Sequence, residues 1–301
     1  MSMLQSLIKR NTKLFFKDKG MFFTSLITPV ILLVLYITFL GKVYHDSFMM
    51  SLPEGFSVSE KLINGCVGGQ LFSSLLAVCC VTISFCSNML IVQDKVTGAK
   101  SDLTITPVKH SVFAAGYYIS TVIATLIICF IAAGACFIYL ANTGWYLSFY
   151  DVILIILDIF ILVMFGTALS SIINFFLSSQ GQISAVGTIV STGYGFICGA
   201  YMPISQFSEG LQKVSSFLPV TYGTSLLRNH TMAGVFSEFK NLGFPSDVIE
   251  KIKDSIDCNL YFFNNKVSIG AMYLILGGSV FLLVCVYILL NILKVRKKNK
   301  V

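Results

Sequence analysis

The residues able to do chemistry in this chain are few: 14 carboxylates, three histidines and nine cysteines among 301 residues. Their spacing decides what they can do. His45, His110 and His230 are scattered. No HExxH, G-x-S-x-G or paired-carboxylate arrangement supplies a metal site, a nucleophile or an acid with its base. No G-x-x-x-x-G-K-[ST] loop is present, so the chain cannot hold ATP by that route. Seven cysteines (Cys79, Cys80, Cys86, Cys129, Cys136, Cys198 and Cys285) sit in apolar runs as small fillers, and no CxxC pair points to a metal. Two acids stand out by position. Asp158 lies about two turns into an apolar run, where a carboxylate is costly and by default functional. It could face cargo, or be held structurally by a neighbouring hydroxyl; in both cases we expect it to point into the bundle. Asp94 stands near the start of a polar island, residues 93–110, between two apolar runs.

The elements that must position these groups are apolar. Hydrophobic residues make up 55% of the chain and charged ones 12%, with mean hydropathy +0.82. A soluble domain carries about 25% charged residues. The composition predicts an all-α polytopic membrane protein. Six runs are long enough to cross a bilayer: 21–40, 67–92, 112–140, 152–177, 183–202 and 268–293. Each has at least the roughly 20 residues a spanning helix needs, and the longer ones must tilt, kink or project. Pro29 falls inside the first, where neighbouring helices can satisfy the carbonyl it frees.

Charge orients the six. Lys9, Arg10, Lys13, Lys17 and Lys19 precede the first run, Lys95, Lys100 and Lys109 lie in the island, and Lys294, Arg296, Lys297, Lys298 and Lys300 form the tail. With six spans these segments share one side, and their excess of Lys and Arg makes it the cytoplasm. The opposite loops carry Lys42 and Lys61 in the first and none in 141–150, while the last, 203–267, is long and weighs little. The net charge of +7 is therefore a topology signal; no aromatic-interleaved basic face argues for nucleic acid. The expected location is the plasma membrane, with both termini cytoplasmic and no signal-peptide cleavage site near the start. Cys66 and Cys258 then share the outer side, where they could form a disulfide.

Shorter patterns fill in the rest. Residues 1–20 space Leu4, Leu7, Ile8, Leu14 and Phe15 at helical intervals with basic residues between. That predicts a helix lying in the membrane interface rather than a solvated leader, with Gly20 as the break before the first span. The tail, 294–301, suits anionic headgroups and membrane lipid generally. In the island, Gly98 permits a turn, Pro107 can end or begin a helix, and 99–105 can form a short helix offering Leu103 and Ile105 for packing. Residues 246–257 predict a small capping helix with Ser246 as N-cap and Ile249, Ile252 and Ile256 on one face.

Two stretches carry a family resemblance. Asp94-Lys95-Val96-Thr97-Gly98 through Leu103-Thr104-Ile105-Thr106-Pro107-Val108 resembles the charged-Gly-Leu-x-x-Thr-Pro segment of type-2 ABC exporter permeases, which also lies between the second and third spans. Gly199-Ala200-Tyr201-Met202-Pro203-Ile204-Ser205, then Phe217-Leu218-Pro219-Val220-Thr221-Tyr222-Gly223 and Arg228, resembles a second signature of that family. The resemblance implies that 93–110 is a cytoplasmic coupling helix docking on an ATPase through Asp94, Lys95, Gly98, Leu103, Thr106 and Pro107. It implies outer re-entrant helices marked by Gly199, Pro203, Pro219, Tyr222 and Arg228, whose backbone must be buried or line a cavity. It also implies a dimer interface along the first and fifth helices, where Gly195-x-x-x-Gly199 would permit close helix packing. The chain departs from the family pattern at Gln93-Asp94, where an acidic-basic-acidic cluster is usual, and in its longer outer segment.

The implied function is the permease subunit of an ATP-driven exporter. Two copies, or one copy and a paralogue, would surround a path, while separate ATPase subunits hold ATP and Mg; the chain itself would carry no cofactor and no catalytic residue. An interior rich in aromatics (26 Phe, 13 Tyr) suits a hydrophobic or amphipathic drug, peptide or lipid-like cargo. Export of a lipid-linked glycan by the same architecture is one alternative. An ion-coupled secondary transporter is another, although it would need more intramembrane acids than Asp158.

Overall fold

A capping box starts the chain: the Ser2 hydroxyl accepts from the Gln5 amide while the Gln5 side chain accepts from the Ser2 amide. The computed structural model describes residues 2–50, 58–105, 110–263 and 265–298. From Ser2, α1 runs Met3–Lys17, and α2, Lys19–Leu35, follows almost at once. The junction is Asp18, not Gly20 as expected: the Asp18 amide closes α1 on the Leu14 carbonyl, and its carboxylate caps α2 by accepting from the Met21 amide at 3.1 Å. One residue thus serves both helix ends, and Gly20 lies inside α2. Pro29 is tolerated within α2, and a π-helical stretch, Tyr36–Leu40, carries the helix on into α3, Gly41–Met50.

The centre of the fold is α4, Glu60–Asn88, continued after Met89 by α5, Leu90–Val96. Nearly every residue of α4 is buried, so this helix is surrounded by the others and not partly lipid-facing. Small residues let neighbours approach it. A Cβ on Gly68 would meet Leu140 at 2.7 Å, and one on Gly166 would meet the Cys80 carbonyl and Val81 backbone at 3.0 Å. Those contacts come from α7, His110–Thr143, and α8, Phe149–Phe176, which pack along α4. Ser148 and Asp151 form the capping box of α8. Between α5 and α7, α6 is a single short helix, Ala99–Thr104. The amphipathic α1 lies on α7, with Leu7 against Gly116 and with Leu7 and Phe15 buried.

The second half adds α9, Gln180–Ile197, a 3-10 turn, Ile204–Gln206, and four short helices: α10 (Glu209–Ser216), α11 (Pro219–Thr231), α12 (Ala233–Asn241) and α13 (Ser246–Ser255). An antiparallel hairpin, β1 (Tyr261–Phe262) and β2 (Asn265–Lys266), precedes α14, Ile269–Lys298. The hairpin is a small exception to an otherwise helical chain. The α13 helix forms as expected, with Ile249, Ile252 and Ile256 buried, but Ser246 is its first residue and not its cap; Pro245 takes that place.

Among the described residues five helices are long and apolar enough to cross a membrane: Lys19–Asp46, Glu60–Val96, Ser111–Thr143, Phe149–Phe176 and Ile269–Leu293. They correspond to five of the six expected runs. The remaining run, 183–202, falls on α9, which begins earlier, at Gln180, and stops at Ile197; the first half of the helix carries Gln180, Gln182, Ser184 and Thr188. The Cys66 and Cys258 thiols are free and buried in one apolar cluster, and burial pushes the Cys258 thiol up to about 12.

Candidate functional site

Three polar joints fix how the helices meet. The first is at the end of the bundle where α1 lies. Asp94, on α5, is buried and accepts two bonds from Arg10, at 2.8 and 3.1 Å, and one from the Tyr117 hydroxyl at 2.5 Å. The carboxylate, chiefly through its hydrogen bonds, holds the Arg10 guanidinium above its usual pKa against partial desolvation. Lys95 turns the other way. Its Nζ donates to the carbonyls of Asn174, Phe175 and Leu177 at 2.7, 3.0 and 2.8 Å, so a cation sits on the orphan carbonyls ending α8. Asp94 and Lys95 therefore grip their own chain, at Arg10, Tyr117 and the end of α8.

Beyond them Gly98 adopts φ +83°, and no atom lies within 4 Å of where its Cβ would be. Its requirement is conformational, a left-handed residue reversing the chain into α6. Ile105, at the far end of α6, is 83% exposed, while Leu103 is only partly exposed. Thr106 and Pro107 lie outside the described residues.

The second joint closes the opposite end. Arg228, on α11, is 1% exposed. It donates to Asp257 at 2.9 Å, to the Gly199 carbonyl and to the Ser74 hydroxyl at 3.5 Å. Asp257 also accepts from the Ile204 and Ser205 amides, at 2.6 and 3.0 Å. Pro203 leads directly into those two amides, Pro219 opens α11, and the Tyr222 hydroxyl donates to the Ser216 carbonyl at 2.5 Å. The structure thus gathers Gly199, Pro203 and Arg228 around one acid, Asp257, which sequence reasoning missed. Twenty-nine positions separate it from Arg228, and no spacing rule joins them.

The expectation that Gly195 and Gly199 form one helix-packing face is corrected here. Gly199 lies beyond the end of α9 with φ +71°, against Ile204 and Asp257, while the space above Gly195 is filled by the Tyr201 ring.

The third joint is intramembrane. Asp158 has no exposed surface, and its carboxylate lies 2.6 Å from His230 Nδ1 and accepts from the Tyr273 hydroxyl at 2.6 Å. It faces the bundle interior as expected, and ties α8 to α11 and α14. His230 and Tyr273 were not anticipated; His230 lies outside the apolar runs in sequence, but α11 folds back among them.

No group of His, Cys, Asp or Glu among the described residues is arranged to hold a metal ion. At the α1 end, α2, α5 and α9 enclose an open groove of about 550 Å³, walled by Met21, Ile27 and Ile183 and studded with Thr24, Ser184, Thr188 and Thr192.

Compared with known proteins, no curated protein and no solved structure matches. The ABC-2 type transporter family matches residues 3–231, leaving out the cap formed by α12, α13 and the hairpin, and the final span. That match takes in the Asp94 joint, Arg228 and Asp158 and covers most of the chain, which therefore belongs to the ABC-2 type transporter family, as the membrane component of a transporter.

Proposed function

We propose that the chain is the permease half of an ATP-driven exporter, working as a pair of membrane subunits above two separate ATPases. In this reading α9 supplies the missing crossing, fifth in chain order, and brings the count to six. Its 18 residues extend roughly 27 Å, just short of a hydrocarbon core of about 30 Å, and the turn that follows completes the crossing. Both termini and α6 then face the cytoplasm. The groove between α2, α5 and α9 offers apolar walls with scattered hydroxyls, which suits an amphipathic or lipid-like cargo.

The observation that carries the reading is the handle made by α5, Gly98 and α6. Asp94 and Lys95 bolt its root to α1, α7 and α8, while Ile105 at its tip is bare. A partner that moves this tip moves three helices at once. The motion is driven only if the ATPases bind one arrangement of the handle better than the other. The test is Ile105→Asp in the complex reconstituted with its ATPase. A folded variant is expected to lose ATPase docking and cargo-stimulated hydrolysis. Full ATP-driven transport by that variant would overturn the reading.

A further inference from the structure

The hairpin before α14 lies outside the family match and presents an uncovered cluster of rings. Phe217, Phe262 and Phe263 meet edge to face, with centroids 5.3, 5.9 and 4.8 Å apart. They remain 61%, 37% and 60% exposed. The support beneath them is firm. The Tyr261 hydroxyl donates to Asp254 at 3.0 Å, Lys266 bonds Glu250, and the Val267 amide donates to the Leu260 carbonyl at 2.8 Å. The first two contacts tie the hairpin to α13, and the hydrogen bond from Lys266 draws the Glu250 carboxyl down to about 2. Phe263 holds φ +46° at the tip, a left-handed conformation that suits Asn or Gly better than a bulky ring. The sequence thus keeps an aromatic where turn chemistry disfavours one.

We propose that this cluster is a membrane-interface anchor, and that its occupant is the headgroup and upper acyl region of the leaflet that α14 enters. The argument is continuity. β2 ends at Lys266 and α14 begins three residues later at Ile269, and Leu274 and Phe281, on one face of that helix, present bare apolar surface along the span at 78% and 73% exposure. The rings therefore stand where a spanning helix meets the headgroups, a depth at which amphipathic elements bury Phe, Leu and Trp against the acyl boundary. Beside Phe217, α10 turns Leu211 and Val214 outward, 56% and 59% exposed, with Lys213 between them able to reach lipid phosphates. A hairpin seated in lipid would hold steady the cap that supplies Asp257 to Arg228. The proposal rests on α14 as a span and on neither the direction of transport nor an ATPase partner.

The test uses the single tryptophan of the chain, Trp145. In a Trp145→Phe background, Phe263→Trp and Phe262→Trp are each placed in the full chain and reconstituted in phosphatidylcholine vesicles. Emission is expected to be blue-shifted, protected from iodide, and quenched more by lipids with a nitroxide near the headgroup than by lipids with one at the chain end. Red-shifted emission quenched by iodide would overturn the proposal. So would emission shielded from both iodide and nitroxide lipids, which would mean that protein, such as a second copy of the chain, covers the rings.

Discussion

Arg228 and Asp257 show how much one charge can demand of its surroundings. A guanidinium with 1% exposure and a carboxylate with 4% are tolerable only together, and the two backbone amides on Asp257 complete the site. Asp257 adopts φ +57°, which Asn also accepts, so Asp257→Asn removes the charge without forcing the backbone. The uncompensated guanidinium should then destabilise the protein by about 3–5 kcal/mol, read as a lower unfolding temperature in detergent. Adding Arg228→Met should recover much of that loss, since the cost lies in the orphaned charge. An Asp257→Asn protein as stable as the parent would show that water reaches Arg228. Arg228 could be singled out from its motif. Its partner could not, because the acid reaches it only after α12 and α13 have folded back. Asp158 was legible as a costly intramembrane acid for a similar reason, yet His230 and Tyr273 come from α11 and α14 and depend on tertiary packing.

Among the elements, the handle was the most readable. Its short helix, its glycine turn and its place between the second and third apolar runs all follow from residues 93–105, but the grips that Asp94 and Lys95 make on their own chain do not. Whether a charged side chain looks to a partner or back into its own bundle depends on which unsatisfied groups lie nearby. Those groups, Arg10 and the carbonyls ending α8, are far away in sequence. Hydropathy located five spans well, because apolar length is a local property. It overran α9 because the apolar residues 198–202 continue the composition and not the helix. Gly98 provides the element-scale test. With nothing within 4 Å of its absent Cβ, Gly98→Ala meets no clash and costs only the left-handed conformation, about 1–2 kcal/mol. The expected result is a protein that assembles and remains stable to within that amount, while amide exchange in α6 speeds up. Unchanged exchange there would mean that the turn is not under conformational control.

At the scale of the whole molecule, α4 is the buried centre and the polar joints tie the surrounding helices to one another. The Asp94 joint couples α5 to α1 through Arg10 and to α7 through Tyr117, while Lys95 holds the end of α8. Force applied at α6 therefore reaches α1, α7 and α8 through these side chains, besides α4, which α5 continues. Arg10→Met severs one of these links. Arg10 is partly exposed, with 30% of its side chain accessible, but Asp94 has only 7%, so Arg10→Met strands a mostly buried carboxylate and lowers stability, a loss that Tyr117, still donating to Asp94, limits. Folding and ATPase docking should survive. Coupling should not, because α1 and the handle would no longer share one energy difference between the two states of the transporter. Coupling free energies of this kind are typically about 1–3 kcal/mol, or about 5–150-fold, so cargo moved per ATP hydrolysed should fall by about tenfold while basal hydrolysis persists. Arg10→Lys, which keeps a charge but not the two-pronged grip on Asp94, should fall between the parent and Arg10→Met. A transport-to-hydrolysis ratio unchanged in Arg10→Met would mean that α1 merely rides on the bundle and that the other helices carry the motion.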